Sequence, residues 1–489
     1  MLLRQVVTAA LVLAALLPCR PAASQDPTPP YPTMATSPDP RDFYSRSDTH
    51  VMLLGNPLRM AGANIDWLGL RADKGAAVRM PTAYEVRDAL ITVQALGGTV
   101  VRARDLAASV GCALCLMPAP GKLNEAAFTH VDSVFATARD LGLKFILPLV
   151  RGQANCGMPD PYDGSLCTFV RARGKQDARA FFTDTAIRAD FLRYVAAVVG
   201  HVNDATGEAY ADNPVIMAWE NCDGCGAGVD AGALSAWSEA VGQAVKAADH
   251  RHLYENGAFA GRIAPQAHDA APASAWATAS VDIVGDTVPP GDAVAAAVAV
   301  SKANRIFIVD SLAWSADVFK SQQDFESALD GLARQRLISG ALVAGLQGHA
   351  DGGGYLPPTD ADGLYYPGLN TSAGSAQDMQ DRARAFRRFA YDMAELPVPS
   401  FLLAPQPEII SAVHGRVRWR GSAGALTYRI ERAQDLVAPG AWSVVCDACR
   451  ETAEPWQDPH LPAGPVWYRI APINVNGHAS PPSEPVRDQ

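Results

Sequence analysis

The chain has 489 residues, and 41 Lys plus Arg against 51 Asp plus Glu leave a formal net charge of −10. Hydrophobic residues make up 48% and charged residues 19%, a globular composition rather than a disordered one. An acidic chain without a basic run argues against a nucleic-acid partner, and this length predicts more than one domain.

The chain opens with Arg4 before an apolar run from Val6 to Leu17. Ala22-Ala23-Ser24 then offers small residues for cleavage before Gln25. Residues 1–24 therefore read as a signal peptide. The run is too short to span a membrane, and Cys19 follows Pro18, outside a lipidation context. The mature protein is expected outside the cytoplasm, secreted to the exterior or to a periplasm, with no membrane partner.

Beyond Cys19, eight cysteines fall into near neighbours: Cys112 and Cys115, Cys156 and Cys167, Cys222 and Cys225, Cys446 and Cys449. An even, clustered set in an exported chain predicts four disulfides. Spacing alone does not dictate which cysteines pair; local pairing is the expectation. Zinc is the competing reading for the Cys-x-x-Cys pairs. No His follows them at ligand spacing, so no metal is assigned.

Residues 25–50 are Pro-rich and polar, a loose lead-in. From 51 to 397, strand-like runs alternate with helical patterns. The strands are Leu58–Ala63, Thr99–Ala103, Lys144–Val150, Val215–Glu220, Leu253–Ala258, Val281–Gly285, Arg305–Asp310 and Gly340–Leu346. Several are almost wholly apolar, as strands covered on both faces are. Ile187, Phe191, Tyr194, Val195, Val198 and Val202 recur at helical spacing, with Thr183 or Asp184 as cap. Phe128, Val131, Phe135 and Ala138 make a second stripe, and Phe325, Leu329 and Leu332 a third. The predicted fold class is α/β, a (β/α)8 TIM barrel followed by a small all-β sandwich domain. A doubly wound sheet is the alternative, but no Gly-x-Gly-x-x-Gly follows the first strand, and no cofactor is assigned.

Pro397-Val398-Pro399 marks a boundary. Over residues 398–489 come short alternating segments: Val417/Trp419, Leu426/Tyr428/Ile430, Trp442/Val444 and Val466/Tyr468/Ile470, with a turn at Asn476-Gly477. Trp419, Tyr428-Arg429-Ile430 and Tyr468-Arg469-Ile470, followed by Asn474 and Gly477, resemble a fibronectin type III module. Its expected role is a spacer or stabilising cap, with binding as the alternative.

In a barrel the chemistry lies at the C-terminal ends of the strands. Strand four ends in Trp219-Glu220-Asn221-Cys222-Asp223-Gly224-Cys225, and strand seven in Val309-Asp310-Ser311-Leu312-Ala313-Trp314. Acidic residues there suggest a retaining glycosidase, which needs two carboxyls about 5–5.5 Å apart.

The resemblance then becomes specific. Phe181-Phe182-Thr183-Asp184, Tyr194-Val195, Asn203 with Thr206-Gly207, Tyr210-Ala211-Asp212-Asn213-Pro214 and Ala218-Trp219-Glu220 follow the pattern of the endo-β-1,4-mannanases of glycoside hydrolase family 5. So do Leu58-Arg59-Met60-Ala61-Gly62-Ala63-Asn64 and Val100-Val101-Arg102. The resemblance covers about residues 50–350 and implies a β-mannan or related polysaccharide as partner. It assigns Arg102 to the active-site arginine, hence to substrate binding.

The same resemblance puts the family's catalytic acid/base on Gly224 and its nucleophile on Ser311. Neither residue carries a carboxylate. The family's His-x-Tyr after strand six falls on Thr287-Val288-Pro289. Its aromatic platform falls in Ala344–Leu346, and its Asn and Trp after strand three on Arg151-Gly152-Gln153. Glu220 shares a face with position 224 but is expected about 13 Å down the strand, as a buried structural carboxylate. Asp310 is expected to face the helices. Asp223 is the best substitute beside the sugar, and Trp314 a candidate platform. Ser311 has no His placed to activate it.

Three readings follow. The first is a secreted, mannanase-like protein that recognises polysaccharide and has lost hydrolysis. The second is a working glycosidase with relocated carboxylates among Asp223, Asp310 and Asp351. The third is a structural or protein-binding module. Trp residues at the mouth favour sugar binding; Cys and small residues favour the third. A Cys222–Cys225 disulfide would replace the catalytic loop with a rigid staple. His349 reads as a loop histidine, and Asn370-Thr371-Ser372 is a glycosylation sequon.

Overall fold

A computed structural model describes residues 42–72, 77–158, 164–259, 261–313, 319–357, 363–371, 374–437 and 440–489. Residues 1–24, expected to be a signal peptide, most of the Pro-rich lead-in, Ser372 and Trp314 lie outside the described residues.

Eight parallel strands close into a barrel. They are β1 (Met60–Asn64), β2 (Val100–Arg102), β3 (Lys144–Pro148), β4 (Ile216–Glu220), β5 (Leu253–Asn256), β6 (Ile283–Asp286), β7 (Ile306–Leu312) and β8 (Ile338–Val343). Each apolar run of the sequence supplies one strand, with only the ends shifted. β8 pairs back onto β1, Gly340 opposite Met60, which closes the ring. Except at Ser311 of β7, the strands are buried at every residue, because helices cover the outside and side chains fill the inside.

Inside the barrel, Met60, Val100, Ile146, Leu253, Ile283, Ile306 and Ile308 form one cluster. Tyr44 and Val51 belong to it and close it from below. Val51 lies in a three-stranded antiparallel sheet of Ser45–Ser47, His50–Leu53 and Asn56–Leu58. That sheet begins inside the segment expected to be a loose lead-in, because Val51 gains a place in the barrel core.

The principal surrounding helices are α1 (Ala83–Ala95), α2 (Glu125–Asp140), α3 (Thr185–Val199), α4 (Ala231–Ala248), α5 (Pro290–Lys302), α6 (Gln322–Arg334) and α7 (Ala376–Met393). Asp184 caps α3 by accepting from the N–H groups of Ala186 and Ile187, a bond typically worth about 1 kcal/mol. Ile187, Phe191, Tyr194, Val195 and Val198 are buried on one face of α3, as their spacing predicts. Val202 does not extend the stripe. The helix ends at Gly200, and Val202 is 46% exposed.

After α7 the chain forms two antiparallel sheets. Their strands are β9 (Glu408–Val413), β10 (Arg416–Arg420), β11 (Ala425–Ala433), β12 (Ser443–Cys449), β13 (Trp456–Gln457), β14 (Trp467–Asn474) and β15 (Val486–Arg487). One sheet has the order β9-β10-β13, the other β12-β11-β14-β15. Ile409, Val417 and Trp419 of the first pack with Tyr428, Ile430, Tyr468 and Ile470 of the second. Val444 of β12 instead faces outward, 51% exposed.

All four cysteine pairs form disulfides between sequence neighbours: Cys112–Cys115, Cys156–Cys167, Cys222–Cys225 and Cys446–Cys449. These thiols are therefore not zinc ligands. No helix among the described residues is long and apolar enough to cross a membrane.

Candidate active site

The polar residues at the strand ends converge on Arg102, at the end of β2. Its Nε and one terminal nitrogen donate to both carboxylate oxygens of Glu220, each at 2.7 Å. The same terminal nitrogen donates to Asp223 Oδ1 at 2.8 Å, and the other to Asn64 Oδ1 at 3.1 Å. Asn64 in turn donates to the carbonyl oxygens of Asp310 and Val343, tying β1 to β7 and β8. Arg102 is 5% exposed, and each of its three guanidinium nitrogens donates to a protein group.

Glu220 is the buried interior carboxylate that the sequence predicts, fully covered. A fully extended chain puts Asp223 about 10 Å beyond Glu220, yet both bind one guanidinium nitrogen. The regular strand stops at Glu220, but the chain runs on beside its neighbours, with Asp223 in a parallel bridge to Arg151. Backbone bonds hold it there: Asp223 N–H to Val150 O, and Gly224 N–H to Gly257 O.

Asp223 is further held by Arg104, whose Nη1 lies 2.5 Å from Oδ2, while Arg104 also binds Asp66. Burial opposes the charge on Asp223, but the two guanidiniums outweigh it and hold its carboxyl well below the usual carboxylate range. Such a group stays ionised and makes a poor proton donor.

The orientation of Asp310 corrects the sequence expectation. Ile306 and Ile308 belong to the interior cluster and Phe307 and Val309 to the outer one. With a two-residue period, Asp310 therefore points into the barrel and Ser311 does not. Asp310 meets Glu255, from β5, over Gly285 of β6. A β-carbon at Gly285 would lie 2.1 Å from Asp310 Oδ2 and 2.2 Å from Glu255 Oε1, so only glycine admits both carboxyls. Two carboxyl groups can hold each other only through a shared proton.

The pair accordingly retains protons. Burial, then repulsion from Asp310 and Glu220, lifts Glu255 well above the ordinary range. Burial also raises Asp310, against the pull of Arg102. Glu220 is pushed up to about 8 by burial, again against Arg102. Asp286, at the end of β6, is lifted to about 7 by burial, although it accepts from the N–H groups of Gly261 and Ile263. Glu255, Asp286 and Arg104 were not singled out in the sequence. The available signal was position: Asp286 ends its strand as Glu220 does, and Glu255 stands one residue before the end of its own.

Gly224, on the acid/base position of the resemblance, adopts φ +58° inside the Cys222–Cys225 ring. It lines a cavity of about 510 Å³ with Gly152, Gln153, Arg179, Asp223, Cys225 and Gly228. Cys and small residues dominate this wall. Ser311 is half-buried beside the mouth. Asp351 and His349 lie elsewhere: Asp351 pairs with Arg420 at 2.7 Å, and His349 with Asp88, at the contact with the C-terminal sheets. Trp314 lies outside the described residues. Asn370 of the sequon accepts from Ala376 N–H.

Carboxylates gathered at the strand ends of a (β/α)8 barrel are an arrangement that glycoside hydrolases share. Residues 168–273 match the family model described as glycoside hydrolase family 5 β-mannosidase-like. Mannan endo-1,4-β-mannosidase 7 of Arabidopsis thaliana is 31% identical over 256 residues, 51% of this chain and 56% of that protein. Mannan endo-1,4-β-mannosidase 4 of rice, Oryza sativa subsp. japonica, is 32% identical over 215 residues, 42% of this chain and 43% of that protein. The chain spans about half the length of the curated relatives it matches. Among solved structures, the endo-β-1,4-mannanase from Thermotoga petrophila shares the fold with TM-score 0.57 and 16% identity, over 89% of this chain and 98% of that one. The endo-1,4-β-mannanase from Rhizomucor miehei does so with TM-score 0.57 and 18% identity, over 72% and 99%.

Proposed function

We propose that this chain is an exported, mannanase-like protein that recognises β-mannan or a related polysaccharide without efficient hydrolysis. The carrying observation is the strand-four loop. Gly224 stands where the resemblance puts the proton donor, the Cys222–Cys225 disulfide closes around it, and Asp223 beside it is held ionised by Arg102 and Arg104. Retaining hydrolysis needs one carboxyl that gives up a proton and a second that attacks, about 5–5.5 Å apart. Asp310 enters the barrel but is engaged with Glu255. In this reading residues 1–24 are the export signal, four disulfides suit an oxidising compartment, and residues 398–489 are a fibronectin type III-like spacer. Asp223, 22% exposed at the side chain, is the polysaccharide-facing carboxylate of the cleft.

Two observations favour other readings. The inward carboxyl of Asp310 supports a glycosidase with relocated groups. The small-residue wall of the cavity supports a protein-binding role.

The test is hydrolysis of β-mannan and β-glucan by the mature protein, beside Asp223→Ala and Asp310→Asn, with a pull-down on insoluble mannan. The expected result is no new reducing ends, with retention on mannan that weakens in Asp223→Ala. Product release that vanishes in either variant would overturn the loss of hydrolysis. No retention on either polysaccharide would leave the protein-binding reading in its place.

A further inference from the structure

We propose that His349, Asp88 and Glu451 form a proton-dependent latch that holds the C-terminal sheets against the loop after β8. The inference is independent of what the barrel acts on.

His349 is buried between two carboxylates from different parts of the chain. On one side its Nδ1 and its backbone N–H both lie 2.9 Å from Asp88 Oδ2, on α1. On the other side its Nε2 lies 3.6 Å from Oε2 of Glu451, which follows β12. The imidazole stacks on Tyr355 with ring centroids 4.4 Å apart. Glu451 also accepts from Gly354 N–H at 2.6 Å and from the Tyr428 hydroxyl at 3.0 Å. One carboxylate of the sheets thus bonds the Gly354 end of the 349–354 loop segment and faces the imidazole at its other end.

The other ionisable groups around the latch come from three elements. α1 contributes Tyr84, whose hydroxyl donates to Gly421 O, and Glu85, which is paired with Arg79. The loop contributes Asp351 and Tyr355. The sheets contribute Tyr428, Arg450 and Arg420, the last engaged with Asp351. The cation placed between Asp88 and Glu451 is His349 itself.

A neutral imidazole has a single N–H and serves one carboxylate; an imidazolium serves both. Losing the proton leaves two carboxylates buried around an uncharged ring, the costly arrangement for charges out of water. Burial opposes the charge on His349, but Asp88 and Glu451 outweigh it and lift the imidazole to about 9. Burial lifts Glu451 to about 7, against the pull of His349. Both groups hold protons more tightly docked than free, where they titrate near 6.5 and 4.5. By linkage, the docked state is favoured in acid and loses that preference as pH rises through about 7 and then about 9. The loop so held follows directly on residues 344–346, at the barrel mouth.

The test is backbone hydrogen exchange on the full chain at about pH 6 and about pH 10, with labelling times scaled to the intrinsic exchange rate. Protection of residues 349–356 and 419–422 is expected to fall at least about tenfold at the higher pH, the effect of one pKa step. The barrel strands are expected to keep theirs. Glu451→Gln, which keeps the shape and removes the charge, is expected to change less than about threefold over the same interval. Should that variant not fold, Asp88→Asn is read by the same criterion. Equal protection of the wild type at both pH values, or a variant that falls as far as the wild type, overturns the latch.

Discussion

Arg102 binds both carboxylate oxygens of Glu220 at 2.7 Å inside the barrel, where the two residues are 5% and 0% exposed. Removing one partner of a buried pair leaves the other charge without compensation. Glu220→Gln is therefore expected to lose about 3–5 kcal/mol of unfolding free energy in urea denaturation above about pH 9, where Glu220, lifted to about 8, is ionised. A loss under about 1 kcal/mol would mean that Asp223 alone balances Arg102.

Gly285 admits Glu255 and Asp310 together because it has no β-carbon. Gly285→Ala is expected to cost about 1–3 kcal/mol by overpacking. Combined with Glu255→Ala it is expected to cost less than the sum of the single changes, since part of the clash, beside that with Asp310, is with the Glu255 carboxyl. Strict additivity in thermal or urea unfolding would remove Glu255 from the contact.

The lift of Asp286 from 3.8 to about 7 makes barrel stability depend on pH. A raised carboxyl binds its proton more tightly in the folded state. Its contribution is complete below the unfolded value and is lost as pH rises through the folded one. The span corresponds to about 4 kcal/mol. The wild type is expected to be more stable near pH 5 than near pH 8.5, and Asp286→Asn to lose less over that interval. Identical pH profiles in calorimetry would show that Asp286 does not carry this dependence.

The Cys222–Cys225 disulfide closes a very short ring around Asp223 and Gly224. Loop-closure entropy for a ring of this size is about 2 kcal/mol. Replacing both cysteines by serine is expected to cost about that much in denaturant unfolding without reductant. It is also expected to raise hydrogen exchange at residues 222–226 above that at β4. Unchanged exchange there would mean that the backbone bonds to Val150 and Gly257 hold the loop by themselves.

The sequence by itself determined the architecture. Strands buried on both faces must be apolar along their length, so Lys144–Val150 and its seven counterparts were visible as runs, and Ile187, Phe191, Tyr194 and Val198 as a helix face. Cysteines close in the chain found each other because short separations bring them within bonding distance. The burial of Glu220 followed from its place on a barrel strand.

Only the tertiary structure decided what the site residues do. Extended spacing separates Glu220 from Asp223 along the chain, yet the one guanidinium of Arg102 serves both. The facing of Asp310 depended on which of Ile308 and Val309 entered the barrel, a choice that closure of the whole sheet makes. Glu255 and Asp286 gained their partners from other strands, and His349 lies between Asp88 and Glu451, 261 positions before it and 102 after it in the chain. Local spacing encodes periodicity and covalent neighbours; it does not encode which charges meet in the interior, because those meetings follow from the packing of segments distant in sequence.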